Sequence, residues 1–167
     1  GSPDIRPEIW SFGHRNPHGA ALDKNGQLWT AEHGAKGGDE VNRISKGANY
    51  GWPIISYGVH YSGNAIGEGT AKEGMEQPAH YWDPSIAPSG LSAYEGDMFN
   101  PWNGDLLVGS LKFDYISRLS QSDGEMREVE KLSSTETNRV RDIHTASDGS
   151  IWFLSAGSGA IYRISRH

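Results

Sequence analysis

Hydrophobic and polar positions along this chain change phase every few residues, and the pattern recurs. In GAALDKNGQLWTAEH, Gly19 to His33, a short alternation is broken at Asn25-Gly26 and resumes at Leu28-Trp29. The segment closes on VNRI, Val41 to Ile44. GLSAYEGDMFNPWNGDLLVGSLK repeats the order with a turn at Asn103-Gly104, an apolar run Leu106-Leu107-Val108 and a close at ISRL. RDIHTASDGSIWFLSAG repeats it around Asp148-Gly149 and Ile151-Trp152-Phe153, and closes at IYRI. Period-two alternation bounded by such dipeptides predicts strands, and Asn-Gly or Asp-Gly predicts type I′ hairpin turns. From turn glycine to closing apolar residue the spacing is 18, 15 and 15 residues.

These features predict an all-β fold in which each repeat is one small antiparallel sheet, the blade of a β-propeller. A β-sandwich with three similar hairpins is the alternative; the recurring Arg-Ile or Arg-Leu ending favours blades. They are expected at about 10–48, 89–120 and 138–167, in a single partial domain over 1–167. An excursion at 49–88, rich in Gly, Pro and aromatics, is expected to be functional or structured in its own right. Propellers usually close with about four to eight blades. Three blades, with one leading strand at PEIWSFG, therefore read as a half propeller with apolar flanks. Self-association, or pairing with another half, would close the ring.

Composition narrows the function classes. The chain has 22 Gly, 8 Pro, 6 Trp, 7 Tyr and 4 Phe, which suits short strands and tight turns. Fifteen Lys and Arg against 21 Asp and Glu leave a net charge of −6. The cations are scattered rather than striped, so a nucleic-acid surface is not expected. No apolar run is long enough to span a membrane as a helix. The absence of cysteine removes disulfides and thiolate metal sites. The opening Gly-Ser reads as an added scar, with the natural N-terminus expected elsewhere. Trp29, Trp82, Trp102 and Trp152 are expected to pack between sheets.

Several polar stretches carry candidate chemistry. GHRNPHG, Gly13 to Gly19, places Arg15 and Asn16 on a turn before a strand. There they either hold an anionic, planar, hydrogen-bonding ligand or cap neighbouring backbone groups. In NRVRDIH, Arg139 and Arg141 are two apart, so on an extended strand they share a face and call for an anion between them. Lys112, after the apolar run of the second repeat, adds a third cation. AEHGAKGGDEVNRI, Ala31 to Ile44, joins three glycines to Asp39 and Glu40. A phosphate cradle would lead into a helix, but this loop leads into a strand, so that reading fails. Calcium ligation by hard oxygens and a wide hairpin turn with solvated charges both remain. The histidines show no zinc spacing, and no nucleophile elbow or dinucleotide fingerprint is present.

Taken together, GHRNPHG, WTAEHGAKGGDEVNRI, GANYGWPIISYGVHYSG, YWDPSIAPSG, LLVGSLK and NRVRDIHTASDGSIWFL resemble one family nearly throughout. It is the soluble pyrroloquinoline quinone (PQQ)-dependent aldose sugar dehydrogenases, or glucose/sorbosone dehydrogenases. The resemblance implies a six-bladed propeller, periplasmic or secreted, that binds PQQ and calcium and oxidises the C1 hydroxyl of aldoses to lactones. It implies that Arg15 and Asn16 contact the quinone oxygens and that Lys112, Arg139 and Arg141 hold the cofactor's carboxylates. Backbone carbonyls of Gly34 and Ala35 would coordinate the catalytic calcium, and Glu40, Tyr50 and Asp39 a structural one. His18 stands where many relatives carry glutamine, and His33 and His80 fall at variable positions. The family's general base is a histidine of the N-terminal half, whereas this chain matches the C-terminal half. No catalytic residue is therefore assigned; His14 is not promoted to that role. The chain alone is expected to be inactive or impaired, with non-catalytic PQQ or anion binding, or a structural self-associating arc, as alternatives.

Overall fold

The alternation folds into three antiparallel sheets in a computed structural model, which describes residues 6–166. The first sheet runs in order β1 (Pro17–Leu22), β2 (Leu28–Glu32), β3 (Asp39–Arg43) and β4 (His80–Trp82). The second is β5 (Pro88–Ala93), β6 (Leu106–Ser110), β7 (Ile116–Ser122) and β8 (Glu125–Leu132). The third is β9 (Val140–Thr145), β10 (Ile151–Ser155) and β11 (Ala160–Ile164), with β11 at its edge. Each sequence repeat supplies the first three strands of a sheet. The excursion contributes β4, and the stretch after the second repeat contributes β8, which the three-strand repeat did not predict.

The turns differ from expectation in a consistent way. At Asn25-Gly26 and Asp148-Gly149 only the glycine is left-handed, with φ 75° and 79°. The Gly26 amide donates to the Asp23 carbonyl at 2.8 Å and the Asp23 amide to the Gln27 carbonyl at 3.0 Å. Gly149, Ala146 and Ser150 repeat that pattern at 2.9 Å each. These are type I turns followed by a left-handed glycine, not type I′ turns. Asp23 and Asp148 favour them because their side chains accept amides two residues on, Asn25 and Ser150. The third predicted turn is a longer loop through the 3-10 turn Asn100–Trp102. A hairpin with two left-handed central residues does occur at Asp123-Gly124, φ 53° and 82°, between β7 and β8.

Why the second repeat has a continuous apolar run is clear from its place. All five residues of β6 are buried. Leu106 and Val108 join Trp29, Ala31, Val41 and Trp82 in a core between the first and second sheets. Leu107 joins Val140, Ile143, Ile151 and Phe153 in a core between the second and third. A strand buried on both faces loses the alternation that marks one with a wet face. The first strands stand side by side, β1 against β5 and β5 against β9. Gly90 permits the second approach: a Cβ there would lie 2.1 Å from Asp142 Oδ1 and 2.9 Å from the Ile143 amide.

Trp29 and Trp82 pack between sheets as expected, at 7% and 6% exposure, but Trp152 does not. It is 41% exposed on the far face of the third sheet, with Leu154 and Ile161 beside it on the paired strands. No helix among the described residues is long and apolar enough to cross a membrane.

Leu107→Ala is expected to destabilise the chain by about 2–5 kcal/mol, since it empties a site closed on both sides. Trp152→Ser should cost under about 1 kcal/mol. Urea denaturation of both variants checks the difference, and equal losses would mean that the far face of the third sheet is covered.

Candidate functional site

The start of each first strand lies beside the end of the second in its sheet: Pro17 pairs with Glu32, Pro88 with Ser110, and Val140 with Ser155. All the candidate cofactor residues sit at or next to these junctions, on one rim of the three sheets. Arg15 and Asn16 precede β1, Lys112 follows β6, Arg139 precedes β9, and Arg141 is its second residue. Contacts across the sheets fix the rim. A His33 Nε2 lies 2.6 Å from the Pro88 carbonyl, and Ser89 Oγ donates to the Val140 carbonyl at 2.6 Å.

Glu32, which sequence reasoning passed over, builds the first junction. Its Oε2 accepts from the Arg15 amide at 2.8 Å and the Asn16 amide at 3.4 Å. Its Oε1 accepts from Asn42 Nδ2 at 2.7 Å and lies 3.0 Å from His14 Nδ1. Burial works to raise the Glu32 pKa, but the hydrogen bonds from His14, the Arg15 amide and Asn42 outweigh it and leave it below the usual value. The Arg15 guanidinium donates to the His33 carbonyl at 3.0 Å and lies over the Trp52 ring. Asn16 is exposed.

Two expectations about the arginines need correction. The strand begins at Val140, and Arg139 is left-handed, with φ 51°, so the two-residue alternation does not apply to it. The β9–β10 register also shifts between Asp142 and Val140, which leaves Arg141 in a bulge. Both are exposed and share the rim for these reasons rather than through an extended face. The Arg139 guanidinium donates to the Leu111 carbonyl at 3.3 Å, next to Lys112 in the chain. His18 and His33 stack at 4.2 Å. Burial, with His33 and Arg141 close by, holds the His18 pKa below its ordinary value.

The glycine loop turns over the start of β3. Asp39 is fully buried and bonded on both oxygens. Its Oδ1 accepts from the Gly34 amide at 2.9 Å, and its Oδ2 from Ser85 Oγ at 2.5 Å and the Ala87 amide at 2.8 Å. Those donors tie the loop to the segment entering β5. Gly38, at φ 69°, lets the excursion pack on the loop: a Cβ there would be 2.2 Å from the Gly58 amide. The Lys36 and Val59 backbones exchange hydrogen bonds at 3.0 Å across that contact. The Tyr50 hydroxyl donates to the Arg43 carbonyl and accepts from the Ser45 amide, so only its main chain suits a cation.

Glu40 is different. It pairs across the strands with Glu32, and Asn42 Nδ2 donates to its Oε2 at 3.1 Å. Burial, reinforced by the Glu32 charge against the Asn42 hydrogen bond, pushes its pKa up to about 7. A cavity of about 20 Å³, room for about one water, lies among Arg15, Glu32, Gly34, Gly38, Glu40 and Trp52. Two neighbouring carboxylates beside a small polar cavity are a donor set that a hard cation would suit. Asp114 is the second residue that sequence reasoning missed: its Oδ1 accepts from the Arg139 amide at 2.8 Å.

A family model described as Glucose / Sorbosone dehydrogenase matches residues 1–163. The chain is 40% identical over 164 residues to the aldose sugar dehydrogenase YliI of Escherichia coli (strain K12), covering 96% of this chain and 44% of that protein. It superposes on the soluble aldose sugar dehydrogenase of Escherichia coli in its apo-form with a TM-score of 0.90 and 37% identity, covering 99% of this chain and 49% of that one. The PQQ-bound aldose sugar dehydrogenase of Streptomyces coelicolor matches with a TM-score of 0.73 over 99% of this chain and 48% of that one, at 23% identity, a likeness of fold alone. The chain thus spans less than half the length of the curated relative and about half of the solved structures.

A raised pKa at Glu40 means that the folded chain binds a proton more tightly than the unfolded one. Metal-free stability should therefore fall as pH rises from about 4.5 to about 7. Glu40→Gln should flatten that decline, and chemical denaturation at several pH values in a chelator checks it.

Proposed function

The chain belongs to the glucose/sorbosone dehydrogenase family, and from that premise we propose that it forms one half of the cofactor cradle of a PQQ- and calcium-dependent aldose dehydrogenase. The observation that carries this reading is the rim, where cations from three separate junctions stand together on a chain of net charge −6. Lys112, Arg139 and Arg141 are exposed there and fit the carboxylates of an anionic cofactor. Arg15 and Asn16, held by Glu32 through their main-chain amides, offer donors to quinone oxygens. When bound, PQQ supplies the acceptor for the hydride from the sugar C1.

The remaining assignments follow the same premise. Calcium fits the carbonyls of Gly34 and Ala35 at the rim and, separately, the Glu40 carboxylate with the Tyr50 main chain. Each sheet serves as a propeller blade, and the chain acts as three blades of six, in a periplasmic or secreted enzyme. Its uncovered flanks support closure by a second copy or by an N-terminal half. The proton of the sugar's C1 hydroxyl needs a general base as the C1 hydride leaves, and none of this chain's histidines is assigned to it. Alone, the chain binds cofactor without turning over sugar.

Titrating the chain with PQQ in calcium, followed by tryptophan fluorescence, is expected to give saturable binding that Lys112→Ala weakens about tenfold. Adding an aldose and a redox dye should produce no reduction. Dye reduction by the chain alone would overturn the inactivity, and an absence of binding would overturn the cofactor assignment. Light scattering across concentrations tests closure, with a dimer expected.

A further inference from the structure

Arg139 is one of four non-glycine residues with positive φ among those described, and one of them is its counterpart in the preceding sheet. Ala87, at φ 54°, precedes β5 as Arg139, at φ 51°, precedes β9. The two are matched bond for bond. The Ala87 amide donates to Asp39 Oδ2, and the Arg139 amide to Asp114 Oδ1, each at 2.8 Å. The Ala87 carbonyl accepts from Leu111, just past β6, and the Arg139 carbonyl from Ala156, just past β10, each at 3.0 Å. A left-handed residue held by a carboxylate is therefore how the chain enters the first strands of the second and third sheets, whereas Asn16, before β1, is not left-handed. At Ala87 it carries only a methyl group; at Arg139 it carries a guanidinium.

Glycine would take this conformation without strain, and arginine does not. A strained residue that keeps a long charged side chain points to a use for that side chain. Asp114 is itself well fixed. It sits at φ 57°, and its carbonyl accepts from the hydroxyl of buried Thr137 at 2.6 Å. With the Arg139 main chain held on both sides, its guanidinium reaches the Leu111 carbonyl beside Lys112.

We propose that Asp114 is a positioning residue: by binding the Arg139 amide it holds that residue left-handed and keeps its guanidinium on the rim for an anionic ligand. The proposal rests on the cofactor reading above for the ligand's identity, not for the clamp itself.

Asp114→Gly separates the carboxylate from the backbone, because glycine is at ease at φ 57°. With PQQ and calcium as the probe, this variant should bind about tenfold more weakly, whereas Asp114→Asn, which keeps an acceptor oxygen, should bind like the parent. Arg139→Gly should also weaken binding while holding or raising the melting temperature, and Asp114→Gly should add nothing in that background. An equal loss from Asp114→Gly with and without the Arg139 side chain would overturn the proposal, as would unchanged binding. If the parent chain binds no PQQ, the cofactor reading falls, and hydrogen exchange at the Arg139 amide decides the clamp. Slow exchange in the parent and in Asp114→Asn, with fast exchange in Asp114→Gly, upholds it; equal exchange in all three overturns it.

Discussion

Asp39 has no exposed surface, and a carboxylate so placed is tolerated only when donors surround it. Its three donors come from the glycine loop, from the segment before β5 and from the entry to β5 itself. Those bonds set the separation of the first and second sheets at the rim. They also hold the loop whose His33 reaches the Pro88 carbonyl. Glu32 and Asp114 do comparable work at the other two junctions, each accepting main-chain amides. Asp39, Glu32 and Asp114 are thus committed to the backbone, while Lys112, Arg139 and Arg141 stay exposed. A protein that is acidic as a whole can in this way present a basic rim.

Much of the fold was legible in the sequence because each repeat carries its own alternation and its own turn glycine. The repeats at Leu28, Leu106 and Ile151 became β2, β6 and β10, flanked as expected. Three things were hidden. The Asp123-Gly124 hairpin and β8 fell outside the repeat, although Asp-Gly was present as a signal. Turn type was misjudged because Asp23 and Ala146, upstream of the dipeptides, decide it through main-chain bonds. Trp152 was misplaced because period two marks which residues share a face but not whether another sheet covers that face.

The candidate site was legible in its cations and obscure in what holds them. Arg15, Lys112, Arg139 and Arg141 stand out as charges near turns. Glu32 does not, because a single carboxylate at a strand end looks solvated until its four partners are known. Asp39 drew attention as a possible ligand for the opposite reason, since its neighbour Glu40 and the glycines suggested an open loop. Arg139 and Arg141 do lie on one rim, but a left-handed residue and a bulge bring them there rather than an extended strand face.

The double burial of β6 has a consequence for how the chain comes apart. In the second sheet β5 and β6 are buried almost throughout, with an apolar core on each side that meets the first and third sheets. Neither outer sheet can detach without wetting one face of the middle one. The three sheets should therefore open as a single cooperative unit, with the slowest-exchanging amides in β5 and β6 and the earliest fraying at β11, where the edge is free.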